Sequence, residues 1–153
     1  MDNFDRAILK ALQQDSSQSL SALSDAANLS PSACHRRMRA LEESGVIAGY
    51  QARLEPRRLG YAVEIFVEIA LNSQSREALD RFEKAASELD QILECHLMSG
   101  TADYMLRVAA ADLDDYDRIH RECLARLPGV ASMRSSFSIR TIKRMQGYPV
   151  RGN

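Results

Sequence analysis

No run of apolar residues in this sequence approaches the roughly 20 needed for a bilayer-spanning helix. The opening MDNFDRAILK lacks the basic-then-apolar order of a secretory signal, so a soluble cytoplasmic protein is expected. Cysteine is scarce: Cys34, Cys95 and Cys123 are odd in number and far apart, which argues for reduced thiols rather than a disulfide framework. No pair among Cys34-His35, Cys95-His96 and His120 with Cys123 has the spacing of a structural zinc site, so no metal is expected. A Gly-rich phosphate loop, a nucleophile elbow and an H-E-x-x-H motif are all missing, and with them the commonest signatures of an enzyme. Net charge is nearly missing too, at −1.

That near-zero sum hides an uneven distribution. Between Ser30 and Gly60 lie six arginines (Arg36, Arg37, Arg39, Arg53, Arg57, Arg58) against three glutamates, whereas from Tyr61 onward 12 basic residues face 14 acidic ones. Screening beyond about 10 Å makes such a local patch matter more than the global sum.

The first 60 residues read as short helices. Asn3 is placed to cap a helix carrying Phe4, Ile8, Leu9 and Leu12 at helical spacing. Ser19 caps a second helix over 20–27, and Asn28 is suited to a left-handed C-cap. Ser30-Pro31 is a strong start signal for a third helix that ends near Ser44-Gly45. The second and third helices, with their short turn, make a helix-turn-helix. Residues 46–54 have the length and glycine punctuation of a small hairpin, or wing, and Glu55-Pro56-Arg57-Arg58-Leu59-Gly60 reads as a linker.

The pattern changes at Tyr61. Val63, Ile65, Val67, Ile69 and Leu71 alternate with Glu64, Phe66, Glu68 and Ala70, the period of a strand. An amphipathic helix over 75–89, strands over 92–98 and 104–109, a helix over 116–127 and a long final strand over 130–142 complete β-α-β-β-α-β. The expected fold is therefore α+β: a winged helix-turn-helix (1–54), a linker (55–60) and a ferredoxin-like domain (61–153). Two helices on one face of the sheet leave the other bare around Phe66, a face that a second copy would cover.

On the third helix, an advance of about 100° per residue puts Met38 and Leu41 within about 40° of Cys34, forming the buried stripe. Ser32, Arg36 and Arg39 fall near the opposite pole with His35 beside them, while Arg37 lies at the margin and is suited to pair with Asp5 or Glu42. A polar pole early in a helix that follows a turn is the face such a motif presents to the major groove. Arg36 and Arg39 suit guanine O6 and N7, Ser32, His35 and the backbone at Ser30 suit phosphates, and Arg53 is a further DNA-binding candidate. The plain alternative is that charged residues simply face water. Turn, Ser-Pro start, polar pole and wing together favour a helix that reads double-stranded DNA.

Several motifs in one order, NFDRAIL (3–9), LSPSACHRRMRALE (29–42), GVIAGY (45–50), ECHLMSGTADYML (94–106) and LPGV (127–130), resemble the Lrp/AsnC family of feast/famine transcriptional regulators. The resemblance spans essentially the whole chain. It implies homodimers, often assembled into octamers, that bind a small amino acid between neighbouring domains and regulate amino-acid metabolism, with no other cofactor. It also implies that ligand changes how dimers meet and hence which DNA sites are bridged. The family's effector segment matches 99–104 here. Backbone N–H groups near Gly100 and Thr101 suit the effector's carboxylate, Asp103 its ammonium, and Leu97, Met98 and Tyr104 its side chain. Thr101 stands where many members carry an acid, amide or histidine, which leaves the effector's identity open. Two other readings stay open: an enzyme subunit resembling siroheme decarboxylase, with His96 and His120 as suspects, and a DNA-independent amino-acid sensor.

Overall fold

The computed structural model describes residues 1–151. They divide into two compact units: Met1–Arg53 together with the chain from Ile142, and Leu54–Thr141.

The first unit holds α1 (Asn3–Gln14), α2 (Leu20–Ala26) and α3 (Pro31–Glu43). Asp2, not Asn3, caps α1. Its carboxylate accepts from the N–H of Phe4 and Asp5 at 2.9 and 3.0 Å, and Asp5 returns the bond to the Asp2 N–H at 2.9 Å. A full negative charge at a helix N-terminus outcompetes a neutral amide. Ser19 caps α2, Asn28 turns at φ 52°, and Ser30 caps α3 with Pro31 at its first position, as the sequence predicts. Ile8, Leu12, Leu23, Ala27, Cys34 and Leu41 form the core, with Met38 and Ile47 packed against it.

Residues 46–54 do not fold into the expected hairpin; no strand forms there. The segment is tied instead to the end of α3. Ile47 N–H donates to the Leu41 carbonyl at 3.0 Å, and the Tyr50 hydroxyl donates to Glu42 at 2.7 Å. Anchoring both residues to α3 leaves too little free chain for a self-paired ladder.

In the second unit, a 3-10 turn (Pro56–Leu59) precedes β1 (Val63–Leu71), α4 (Arg76–Ser87), β2 (Ile92–Leu97), β3 (Tyr104–Ala110), α5 (Leu113–Glu122), a second 3-10 turn (Leu124–Arg126) and β4 (Val130–Phe137). The strands lie in the order β2-β3-β1-β4, all antiparallel. Alternate residues of β1 and β3 (Ile65, Val67, Ile69, Leu106, Val108) pack against Phe82 of α4 and Tyr116 and Ile119 of α5.

Two elements differ from expectation by more than two residues. α5 starts at Leu113 because Asp112 accepts from the Asp115 N–H at 2.8 Å, and it gives way to a 3-10 turn before Leu127, which Pro128 keeps out of helical geometry. β4 stops at Phe137 rather than at Ile142. Its register sets Phe137 opposite Ile65, so two residues further on it has reached Val63, the first residue of its partner strand, and Ile139 is 99% exposed.

The outer face of the sheet is less bare than the alternation suggests. Arg107 on β3 pairs with Glu64 on β1 and, at 2.6 Å, with Glu94 on β2; Arg134 on β4 donates to Glu68 at 2.7 Å. Phe66 lies among these charges, 39% exposed.

Candidate nucleic-acid interface and effector loop

The three arginines of α3 meet different fates. Arg37 points back to α1, where its guanidinium lies 2.8 Å from both Asp2 and Asp5 and 5.3 Å over the Phe4 ring. The Asp5 hydrogen bond, followed by the Asp2 interaction, raises its pKa; the Asp2 carboxyl is held below its usual range, first by the Asp5 N–H and then by Arg37. Arg36 and Arg39, with His35, are exposed, and no hydrogen bond or ion pair among the described residues engages them. Ser32 stands at the same pole with its hydroxyl 3.2 Å from that of Ser30, which also accepts from the Ala33 N–H at 3.3 Å. Ser30, Ser32, His35, Arg36 and Arg39 thus share one exposed face running from the start of α3 past its middle, and Arg36 and Arg39 there are uncompensated among the described residues. Such a pole can take anionic oxygens or the acceptor edge of guanine without first breaking an internal bond.

Arg53 lies outside that helix. It lines a groove of about 930 Å³ formed by α1, residues 46–53 and the tail from Met145 to Arg151. Helical periodicity carries no information about either segment, so the sequence reading did not foresee this groove. The Tyr50–Glu42 bond escaped it for the same reason, and burial followed by Glu42 pushes the Tyr50 hydroxyl up to about 12.

The effector candidates fall into two groups. Leu97, at the end of β2, and Met98, Gly100 and Thr101 on the β2–β3 connection are exposed, with Gly100 at φ +140°. A side chain at that φ is strained, so glycine sets the shape of the loop. Asp103 is already occupied: one carboxylate oxygen accepts from the Leu71 N–H at 2.7 Å and the other from the Gln74 amide at 2.7 Å. Its own N–H donates to Ile69 at 2.8 Å, and its carbonyl accepts from Met98 at 2.8 Å. Asp103 therefore locks the loop to the end of β1, and each of the oxygens expected to meet an ammonium already accepts one bond from the protein.

Tyr104 corrects the expectation more sharply. It is 1% exposed, stacks 4.4 Å from Phe82 and donates to Glu83 at 2.8 Å; burial, then Glu83, pushes its hydroxyl far up. Strand alternation turns it to the helix layer, so it forms the floor beneath the loop and not a wall of a site.

His96 and His120 do not come together. His96 pairs across from Met105 on the outer face, 3.4 Å from Glu94, whereas His120 stands on α5 in the helix layer, its ring 6.1 Å from Tyr116. The sheet separates the two residues on which an enzyme reading would rest.

Residues 1–48 match the family model described as winged helix-turn-helix DNA-binding, and residues 64–148 match the Lrp/AsnC ligand binding domain. The leucine-responsive regulatory protein of Escherichia coli (strain K12) is 40% identical over 144 residues, covering 94% of this chain and 88% of that protein. The crystal structure of an AsnC family transcriptional regulator from Agrobacterium tumefaciens superposes with a TM-score of 0.93 at 36% identity, over 98% of this chain and 97% of that one. A transcriptional regulator from Neisseria meningitidis, solved as a complex with L-Met, gives the same TM-score at 27% identity over the same shares of the two chains. With a DNA-binding helix-turn-helix followed by an amino-acid-binding βαββαβ domain, the chain belongs to the Lrp/AsnC family of transcriptional regulators.

Proposed function

We propose that this regulator reads double-stranded DNA with Arg36 and Arg39, holds the backbone with Ser30, Ser32, His35 and Arg53, and answers to a small amino acid at the Leu97–Met98–Gly100–Thr101 surface. The observation that carries the DNA reading is the contrast within α3: Arg37 has two acidic partners within 2.8 Å, and its neighbours Arg36 and Arg39 have none among the described residues. Residues 1–54 act as the DNA-binding module, 55–60 as the linker, and 61–141 as the effector and assembly domain, with the chain from Ile142 returning to the helical unit. Asp103 positions the effector loop and Tyr104 supports it from below, with Thr101 and the backbone near Gly100 left to meet the ligand. The L-Met complex of the Neisseria relative supports an amino acid as the ligand class.

The protein works in the cytoplasm as a homodimer that assembles further, to octamers. Two α3 helices then enter successive major grooves about one helical turn apart. Ligand at the assembled effector domains alters the geometry between dimers, and by linkage DNA alters ligand affinity equally.

The test is a fluorescence-anisotropy titration against the DNA upstream of the protein's own gene, with a scrambled duplex as control, at two salt concentrations, with and without pooled amino acids. Tight, salt-sensitive, sequence-dependent binding that the pool changes is the expected result. Equal affinity for both duplexes would overturn the reading of α3, and indifference to the pool would overturn the effector site.

A further inference from the structure

From Ser138 to its end the sequence carries Arg140, Lys143, Arg144 and Arg151 and no acidic residue. A run of one sign on a nearly neutral chain is either a solvated tail or an arm for a polyanion, and placement decides between them. The segment from Ile142 belongs to the helical unit, where it has a specific seat. The Gln13 side-chain amide pairs in both directions with the backbone of Tyr148: Nε2 donates to the Tyr148 carbonyl at 3.0 Å, and the Tyr148 N–H donates to Oε1 at 2.6 Å. Gly147, at φ +115°, makes this approach possible, because a Cβ there would stand 2.2 Å from Gln13 Oε1. An unstructured basic tail has no need of such a fit.

The seat puts Arg151 and Arg53 on one groove with Ser16, in the turn that leads into α2. A smaller cavity of about 290 Å³ shares Leu12, Ser16 and Tyr50 with that groove and extends to His35 on α3. The tail groove is therefore continuous with the flank of the proposed recognition face. Arg53, Lys143 and Arg151 are exposed, and no hydrogen bond or ion pair among the described residues engages them. Arg53 and Arg151, brought to one groove, repel one another until an external anion compensates them, and phosphates along a duplex supply such charges at regular spacing.

We propose that the C-terminal tail is a second DNA-contacting arm, with Arg151 and Lys143, beside Arg53, gripping backbone phosphates that flank the site read by α3. The proposal rests on the DNA reading of α3. The arm adds affinity and salt dependence without sequence preference, since phosphate contacts carry no base information.

The experiment compares the full chain with Lys143→Gln/Arg151→Gln, using cognate and scrambled duplexes from about 50 to about 200 mM salt. Each lost phosphate contact lowers the slope of log affinity against log salt by about 0.9, so the weakening across this range should shrink about tenfold while the cognate-to-scrambled ratio holds. Gln13→Ala, which changes no charge but releases the seat, should lower affinity for both duplexes by the same factor. Circular dichroism confirms that each variant is folded. An unchanged salt slope in the double variant overturns the arm, whatever the ratio. A full chain with no cognate preference but a slope that falls in the variant overturns the α3 reading and leaves the arm standing. Absence of binding to either duplex overturns both.

Discussion

Two charged surfaces of this protein use arginine in opposite ways. On the outer face of the sheet, Arg107 and Arg134 are each matched to glutamate on neighbouring strands, so that Glu94, Arg107 and Glu64 form a chain across β2, β3 and β1. Burial opposes the charge of Glu94, yet Arg107 and then His96 hold its carboxyl below the usual range. On α3, one arginine is matched and two are not. Matched charges on a strand face satisfy one another and set register. Unmatched charges on one pole of a helix are held ready for something outside the chain. The same residue type thus marks structure in one place and binding in the other, and the distinguishing feature is the partner.

The largest effect expected from breaking that contrast is on DNA. Arg36→Ala and Arg39→Ala should each cost about 1–3 kcal/mol of cognate binding and relax discrimination, with thermal stability unchanged. A loss of a few tenths for both in an anisotropy titration would reduce the pole to a solvated surface. Next comes Asp103, whose carboxylate is matched at both oxygens. Asp103→Ala should cost about 1–2 kcal/mol of unfolding free energy by stripping the Leu71 N–H and Gln74 of their acceptor. Calorimetry should show effector affinity lost along with the loop's shape while DNA affinity at zero effector holds. Retained effector affinity would separate Asp103 from the site.

Smaller still is Arg107→Ala. Its side chain is about one-third open to solvent, so screening limits the cost to about 1 kcal/mol or less in a denaturant melt, with cognate discrimination untouched. A discrimination defect in that variant would blur the distinction between the two surfaces. The slightest effect is an acid-side slope from Asp2. Its pKa is depressed in the fold, so its contribution is present above the ordinary carboxylate range and lost as pH falls below about 4. Asp2→Asn keeps a capping oxygen but should flatten that slope in melts between about pH 5 and about pH 2. An identical slope in wild type and variant would mean that the Asp2–Arg37 pair does nothing for the fold.

Much of this was legible before any coordinates. Ser30-Pro31 and Gly45 bound α3, and the wheel that put Cys34, Met38 and Leu41 inside also turned Arg36 and Arg39 out and set Arg37 at the margin, suited to Asp5 or Glu42, of which the structure shows Asp5. The alternation of β1 appears residue for residue in its burial from Ile65 to Leu71. Less legible were features where one residue type serves two roles. Asp103 reads as a ligand acceptor but caps the end of β1, and Tyr104 reads as a pocket wall but is fully buried. For both, the answer depended on β1 lying next to β3, more than 30 residues away in sequence. Within the wing segment the expected hairpin is absent because Ile47 and Tyr50 found partners on α3 rather than on each other.

By itself the sequence determined the helices, the strands, their order and the direction of each side chain along its own element. Those follow from capping chemistry and from periods of 3.6 and 2, which act over a few residues. Only the tertiary structure decided which charges are spent and which are free. That depends on what another element brings within about 3–4 Å. It sent Arg37 to Asp2 and Asp5, Asp103 to Leu71, and the tail at Gly147 and Tyr148 to Gln13, while leaving Arg36 and Arg39 for a partner outside the chain.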